Sequence, residues 1–125
     1  AQSVLLVDDS AFFRNMLAPV LKAAGYKVRV AVNAQEGLSA LRAQNFNVVL
    51  TDIEMPDMNG VEFAETIRAD NNLSQMPIIA LSSLVSPAAI ERGRQAGFHD
   101  FVAKFDRPGL IAALKEQTAD VQKAA

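Results

Sequence analysis

The chain has 125 residues, 50% hydrophobic and 21% charged, which is enough for one domain built on one core. It has no cysteine and a single histidine, His99, which excludes disulfides, a thiolate nucleophile, cysteine-held zinc or iron–sulfur clusters and a histidine metal cluster. Twelve Lys and Arg stand against fourteen Asp and Glu, a formal net charge of -2 with no long run of either sign, so the basic face of a nucleic-acid binder is missing.

Val4 to Val7 is apolar on both faces, the pattern of a buried central strand, and Asp8-Asp9-Ser10 stops it. A helix over Phe12 to Ala24 follows, with Phe13, Leu17, Val20 and Leu21 at helical spacing and Gly25 at its end. Pro19 inside it is expected to bend it or to break its hydrogen bonding locally. Tyr26 to Val32 alternates and is rich in valine, a second strand. Asn33 caps the next helix, with Glu36 as its capping-box partner; this helix reaches about Gln44 with Leu38 and Leu41 inward, although Gly37 weakens it. Phe46 to Thr51 is the third strand. Asp52 to Gly60 is a loop leading into a helix that ends near Ala69, with Val61, Ala64 and Ile67 on one side. Pro77 to Leu81 is the fourth strand, Ser82 to Ser86 a loop, and Pro87 opens a helix through Gln95 that Gly97 closes. The fifth strand covers Phe101 to Ala103, with His99 as its earliest start; His99 reads as a surface or strand-edge residue without a role. After a loop from Lys104 to Arg107, Pro108 starts the last helix, with Leu110, Ile111 and Leu114 as its apolar face and a frayed tail from Gln122.

Strands and helices alternate throughout, which predicts an α/β fold with right-handed crossovers on a parallel sheet. The expected architecture is a doubly wound (βα)5 three-layer sandwich around a five-stranded parallel sheet in the flavodoxin-like order 2-1-3-4-5. Residues 1–125 are read as a single domain with its core at about 4–120 and no room for an output domain of its own. The apolar runs are too short to span a membrane and no signal peptide is visible, so a cytoplasmic protein without membrane contact is expected.

Sites on open parallel sheets form beyond the carboxyl ends of the strands. Four of the five predicted strands end in a reactive residue: Asp8 and Asp9 after the first, Asp52 after the third, Ser82 and Ser83 after the fourth, and Lys104 after the fifth. Three converging carboxylates repel one another unless a cation joins them, and an all-oxygen site suits Mg²⁺, with the backbone carbonyl of Glu54 as a further ligand. Lys104 adds a positive charge and a serine hydroxyl can donate to a phosphoryl oxygen. The set suits a carboxylate that accepts a phosphoryl group. No phosphate-binding glycine motif is present, so nucleotide binding is not expected. The Glu54 side chain either acts on access to the phosphoryl group or is a solvated glutamate. Phe12, Phe13 and Met55 either cover the site or pack helix and loop.

The motifs V-D-D (7–9), T-D-I-E-M-P-x-M-x-G (51–60), P-I-I-A-L-S (77–82), A-G (96–97) and F-V-A-K (101–104), in this order, resemble the response-regulator receiver domain of two-component signalling. The resemblance runs from Val4 to about Glu116. It implies that Asp52 is the phosphoacceptor, taking the group from a histidine kinase or a histidine phosphotransfer domain. It implies that Asp9 binds Mg²⁺ (or Mn²⁺) directly, that Asp8 acts through water, and that the Glu54 carbonyl is the backbone ligand. Ser82 matches the hydroxyl that senses phosphorylation, Lys104 the lysine on the phosphoryl group, and Phe101 the aromatic that moves inward. It also implies a partner face on the fourth helix, fifth strand and fifth helix, used by a monomer or a weak phosphorylation-dependent dimer. Such a domain catalyses only its own modification, which leaves its standing as an enzyme open.

Phe105 stands where the family usually has proline, so a trans Lys104–Phe105 bond and a remodelled following loop are expected. The segments A-K-F-D-R-P-G-L (103–110), F-F-R-N-M-L (12–17) and A-L-S-S (80–83) resemble the C-terminal receiver of chemotaxis hybrid histidine kinases of the CheA kind, which implies a parent kinase in cis. Two readings compete: a phosphorylation-independent interaction module, and a metal-dependent phosphatase or hydrolase. The intact acidic set opposes the first, and the short chain leaves little room for the lid and second acid of the other.

Overall fold

The computed structural model describes residues 2–83 and 86–124, with side chains through Thr118. Its elements are β1 (Ser3–Val7), α1 (Ala11–Ala23), β2 (Lys27–Ala31), α2 (Ala34–Ala43), β3 (Val48–Asp52), α3 (Gly60–Ala69), β4 (Ile78–Ser82), α4 (Pro87–Ala96), β5 (Asp100–Ala103) and α5 (Arg107–Ala124). The strands pair in parallel in the order β2-β1-β3-β4-β5, the doubly wound order expected for this chain. The loop predicted over 82–86 lies partly outside the described residues, at 84 and 85.

Side-chain alternation sorts the strands between two cores. Leu5, Val7, Val49, Ile78 and Ala80 face one side, against Leu38 and Leu41 of α2 and Phe63 and Ile67 of α3. Val4, Leu6, Val48, Leu50, Ile79 and Leu81 face the other, against Phe13, Leu17 and Leu21 of α1 and Leu110 and Leu114 of α5. β1, β3 and β4 lie inside the sheet and are buried on both faces, which is why they read as unbroken apolar runs.

Several local expectations are corrected. α1 stays helical across Pro19. The local break in hydrogen bonding is as expected, since the Asn15 carbonyl loses its donor, but the helix does not end there; Pro19 and Asn15 both lie on its exposed face. β3 and β4 run one residue further than predicted, through Asp52 and Ser82, and carry these side chains into the sheet's edge. Phe63, not Val61, is the large buried side chain of α3, and Gly37 lets its ring approach α2. Helical backbone continues through Gln122. Asn33 accepts from the Glu36 N–H at 2.8 Å, but Glu36 reaches back to the Val32 N–H at 3.3 Å, one residue before the cap. A complete capping box forms instead at Asn59 and Glu62.

The loop from Asp52 to α3 is drawn tightly onto the end of β3. The Gly60 N–H donates to the Ile53 carbonyl at 2.8 Å, and a Cβ on Gly60 would meet the Asp52 carbonyl oxygen and lie 2.7 Å from Ile53 Cα. Both obstacles are backbone and cannot rotate away. Gly60→Ala should therefore lower stability by about 1–3 kcal/mol, measured as a reduced urea midpoint with an unchanged m-value.

At the opposite end of the sheet, Arg68 of α3 ties three segments together. Its Nε and Nη2 donate to the Gly97 carbonyl at 3.1 and 2.7 Å, and its Nη1 to the Ser74 carbonyl at 3.1 Å. Gly97 closes α4 in the left-handed region, at φ 102°. His99 is exposed at the start of β5, but its ring is not idle. Nδ1 accepts from the Ile78 N–H at 3.2 Å and lies 3.0 Å from Arg68 Nη2, which puts the ring proton on Nε2. Burial, then the Arg68 charge, holds the imidazole below its ordinary value of 6.5. The unfolded chain thus binds the proton more readily, and stability rises with pH across this window. On acidification from pH 7, urea melts should show stability falling as the pH passes 6.5 toward the lowered folded value. His99→Asn, whose Oδ1 can accept in place of Nδ1 without titrating, should flatten that part of the profile.

Candidate functional site

The carboxyl edge of the sheet gathers the polar groups that the strands deliver. Asp8 continues β1 by one residue, its N–H donating to the Ala31 carbonyl at 3.1 Å. Its side chain is 0% exposed. Oδ1 accepts from the Ser10 N–H at 2.9 Å, and Arg14 Nη1 donates to the Asp8 carbonyl at 2.7 Å. Ser10 in turn caps α1, accepting from the Phe13 N–H at 3.2 Å. Asp8 Oδ2 is buried outside any hydrogen-bond geometry and faces Lys104 Nζ at 3.0 Å. Asp52, buried at the end of β3, places Oδ2 3.4 Å from the same Nζ, and its Oδ1 accepts from the Glu54 N–H at 3.4 Å. Lys104 follows β5, and its N–H donates to the Ser82 carbonyl at 2.9 Å, which sets its stem beside β4.

Asp8, Asp9 and Asp52 each offer a carboxylate oxygen within 4.8 Å of the others; Asp8 and Asp52 are buried and Asp9 is exposed. Burial, followed by the Asp8 charge, pushes the Asp52 carboxyl above its ordinary range, against the pull of Lys104 and the Glu54 N–H. For Lys104 burial pulls downward, but its close contact with Asp8 and the charges of Asp52 and Asp8 outweigh it and hold the ammonium above its usual value. One lysine does not satisfy three carboxylates. The buried Asp8 Oδ2 and the destabilised Asp52 anion are the groups a hard divalent cation relieves, and an all-carboxylate donor set with an open, exposed side fits one.

Ser82 is buried at the end of β4, one position beyond the Leu81 that pairs with Asp52. Phe101 lies on β5 against α4, where a Cβ on Gly93 would stand 2.7 Å from its Cδ2. A cavity of about 160 Å³ opens among Ile53, Ser82, Gly93 and Phe101, with Glu54 and Arg92 on its lining. The Glu54 side chain is exposed, as is Ser83. Of the three apolar residues considered for the site's cover, Phe12 is exposed, Met55 joins the α2–α3 core, and Phe13 is buried in the α1–α5 core with its ring beneath Lys104. The Lys104–Phe105 bond is trans, like every peptide bond among the described residues. Arg14 and Gly93 carry no sequence signal for their roles here: an arginine inside a helix and a glycine before a helix end are both ordinary.

The sequence pattern of the response regulator receiver domain matches residues 4–115. A gliding motility regulatory protein of Myxococcus xanthus is 34% identical over 101 residues, 81% of this chain but 13% of that protein, so the chain spans a small part of this relative's length. The chemotaxis response regulator CheY4 of Vibrio cholerae superposes with a TM-score of 0.86 at 32% identity, over 92% of this chain and 97% of its own. The receiver domain of the sensor histidine kinase PA1611 of Pseudomonas aeruginosa, with a magnesium ion coordinated in its active-site cleft, gives 0.86 at 28% identity over 95% and 98%. With a fold, an acidic edge and a sequence pattern that agree over nearly its whole length, this chain belongs to the response regulator receiver domain family, the phosphoaccepting module of two-component signalling.

Proposed function

We propose that Asp52 is the phosphoacceptor, that Asp8, Asp9, Asp52 and the Glu54 carbonyl hold Mg²⁺ (Mn²⁺ in its place), and that Lys104, Ser82 and Phe101 carry the response. The observation that supports this most directly is the position of Lys104 Nζ, 3.0 Å from Asp8 and 3.4 Å from Asp52 at the edge where β1, β3 and β5 end. A cation held there would neutralise the carboxylates and the transferring oxygens. Asp52 Oδ attacks the phosphorus of a phosphohistidine on a histidine kinase or phosphotransfer partner. The P–N bond breaks and the imidazole leaves with its electron pair. Lys104 turns from Asp52 toward the phosphoryl oxygens. The Ser82 hydroxyl, buried one strand over, donates to one of them, and the Phe101 ring follows into the cavity beside it. Water later cleaves the acyl phosphate and restores the carboxylate.

We read the whole chain as one receiver, with the face of α4, β5 and α5 as its output surface, working as a cytoplasmic monomer or a weak phosphorylation-dependent dimer. Its parent is a hybrid histidine kinase whose output it tunes in cis. The likeness to the receiver of a sensor histidine kinase and the small share of the M. xanthus relative that the chain spans support that placement. Among the described residues no helix is long and apolar enough to cross a membrane.

Incubation with acetyl phosphate and Mg²⁺ should add one phosphoryl group by intact mass, and Asp52→Asn should abolish the gain. No gain, with acetyl phosphate or with candidate kinases, would leave the chain a phosphorylation-independent interaction module. Mg²⁺ alone should raise the thermal midpoint in a concentration-dependent way, by about 2.7 kcal/mol of stability at a hundredfold excess over Kd. Asp9→Asn should shift that dependence to higher Mg²⁺ while leaving the metal-free midpoint close to that of the unaltered chain.

A further inference from the structure

Lys104 is nearly enclosed, its side chain 14% exposed, and the Asp8 and Asp52 carboxylates are not its only close neighbours. An aromatic face also lies against it: Nζ stands over the Phe13 ring, 4.5 Å from its centroid. That ring is itself fixed. Phe13 is 3% exposed, packed with Leu17, Leu110 and Leu114 in the α1–α5 core, and the ring of Phe105 stands perpendicular to it with centroids 6.1 Å apart. Phe105 is the residue after Lys104 and is 73% exposed, so its burial contributes little. Its contact with Phe13 instead pins the turn from which Lys104 projects.

We infer that Phe13 is a positioning residue for phosphoryl transfer: its π face seats the Lys104 ammonium, and Phe105 holds that seat in place. The inference rests on Asp52 being the acceptor and Lys104 acting on the phosphoryl group. The physical reason lies in what a π face offers a cation. It attracts positive charge without providing a lone pair that competes for an N–H. A third carboxylate in that place would bind the ammonium more tightly to the resting state and add negative charge to a site that must receive a phosphoryl group. An aliphatic wall would desolvate the ammonium and return nothing. The ring keeps Nζ at the site while its N–H groups remain free to pass from Asp52 to an incoming oxygen. It therefore favours the transferring arrangement over a lysine that swings into solvent.

The test replaces Phe13 by phenylalanines carrying one, two and three ring fluorines, which weaken the π face while nearly conserving shape. Phosphorylation from acetyl phosphate with Mg²⁺ is followed by intact mass in the full chain. The rate constant should fall stepwise, reaching about three- to tenfold below that of the unaltered chain. In a Lys104→Met background the same series should show no trend, because the ring acts through the lysine. In the resting protein, NMR should find the Lys104 Cε protons shifted upfield by the Phe13 ring current, and Phe13→Leu should remove that shift. Equal rates across the series, a trend that persists without Lys104, or Cε protons at ordinary positions would each overturn the inference. Failure of the unaltered chain to take up a phosphoryl group would overturn the acceptor reading and this one with it. Normal uptake without the fluorine trend would overturn this one alone.

Discussion

One ammonium held between two buried carboxylates is the interaction on which the site depends. Asp8 and Asp52 are both withdrawn from water, and burial followed by the Asp8 charge raises the cost of ionising Asp52. Lys104 offsets that cost only in part, since its charge lies 3.0 Å from one and 3.4 Å from the other while Asp9 adds a third negative group. The resting site is therefore short of positive charge. A divalent cation bound there would relieve that shortage, and in the proposed transfer the phosphoryl oxygens on Asp52 would draw Lys104 from the Asp52 carboxylate. The same electrostatic shortage would account both for a cation at the site and for a lysine that changes partners in the proposed transfer.

The sheet makes this convergence possible. All five strands are parallel, so their carboxyl ends lie on one edge, and β1 and β3 are neighbours at its centre. Extending β3 through Asp52 and β4 through Ser82 brings the two side chains to adjacent strand ends without a loop between them. Gly60 then folds the following loop back over Asp52, with the Glu54 N–H on Oδ1. Arg68 and His99 do the corresponding work at the far edge, clamping the starts of β4 and β5. Phe101 lies between the two, on a strand fixed at its start by His99 and followed at its end by Lys104.

Residue pattern alone revealed the parts of the molecule where one physical signal dominates. The buried strands read directly because parallel strands covered on both faces need apolar residues at consecutive positions, as in V-L-L-V and V-V-L. The acidic edge read directly because every member follows such a strand. What escaped was decided by contacts distant in the chain. Val61 and Phe63 are both apolar, and the approach of Gly37 decides that Phe63 is the buried one. Pro19 leaves the helix intact because its lost bond falls on the solvated face, which a linear pattern does not specify. His99 looked inert because its neighbours in sequence say nothing of Arg68 or Ile78. For Phe13 cover and packing were alternatives, and the structure packs its ring in the α1–α5 core beneath Lys104.

That ring bears on the most distinctive departure of this chain from its family. A proline after the lysine would constrain the backbone of the β5–α5 turn through its own covalent ring. Phe105 supplies no such constraint, and the Lys104–Phe105 bond is trans. The turn is held instead by Asp106, whose N–H donates to the Ala103 carbonyl and whose carboxylate accepts from Gly109, and by the perpendicular contact of Phe105 with Phe13. On the inference drawn above, the lysine's position would be controlled by a contact between α1 and the β5–α5 turn in place of a local backbone restriction. A side-chain contact can loosen where a covalent ring cannot. A partner packing on exposed Phe105 would, on that inference, act on the seat of Lys104 and through it on the charge balance around Asp52.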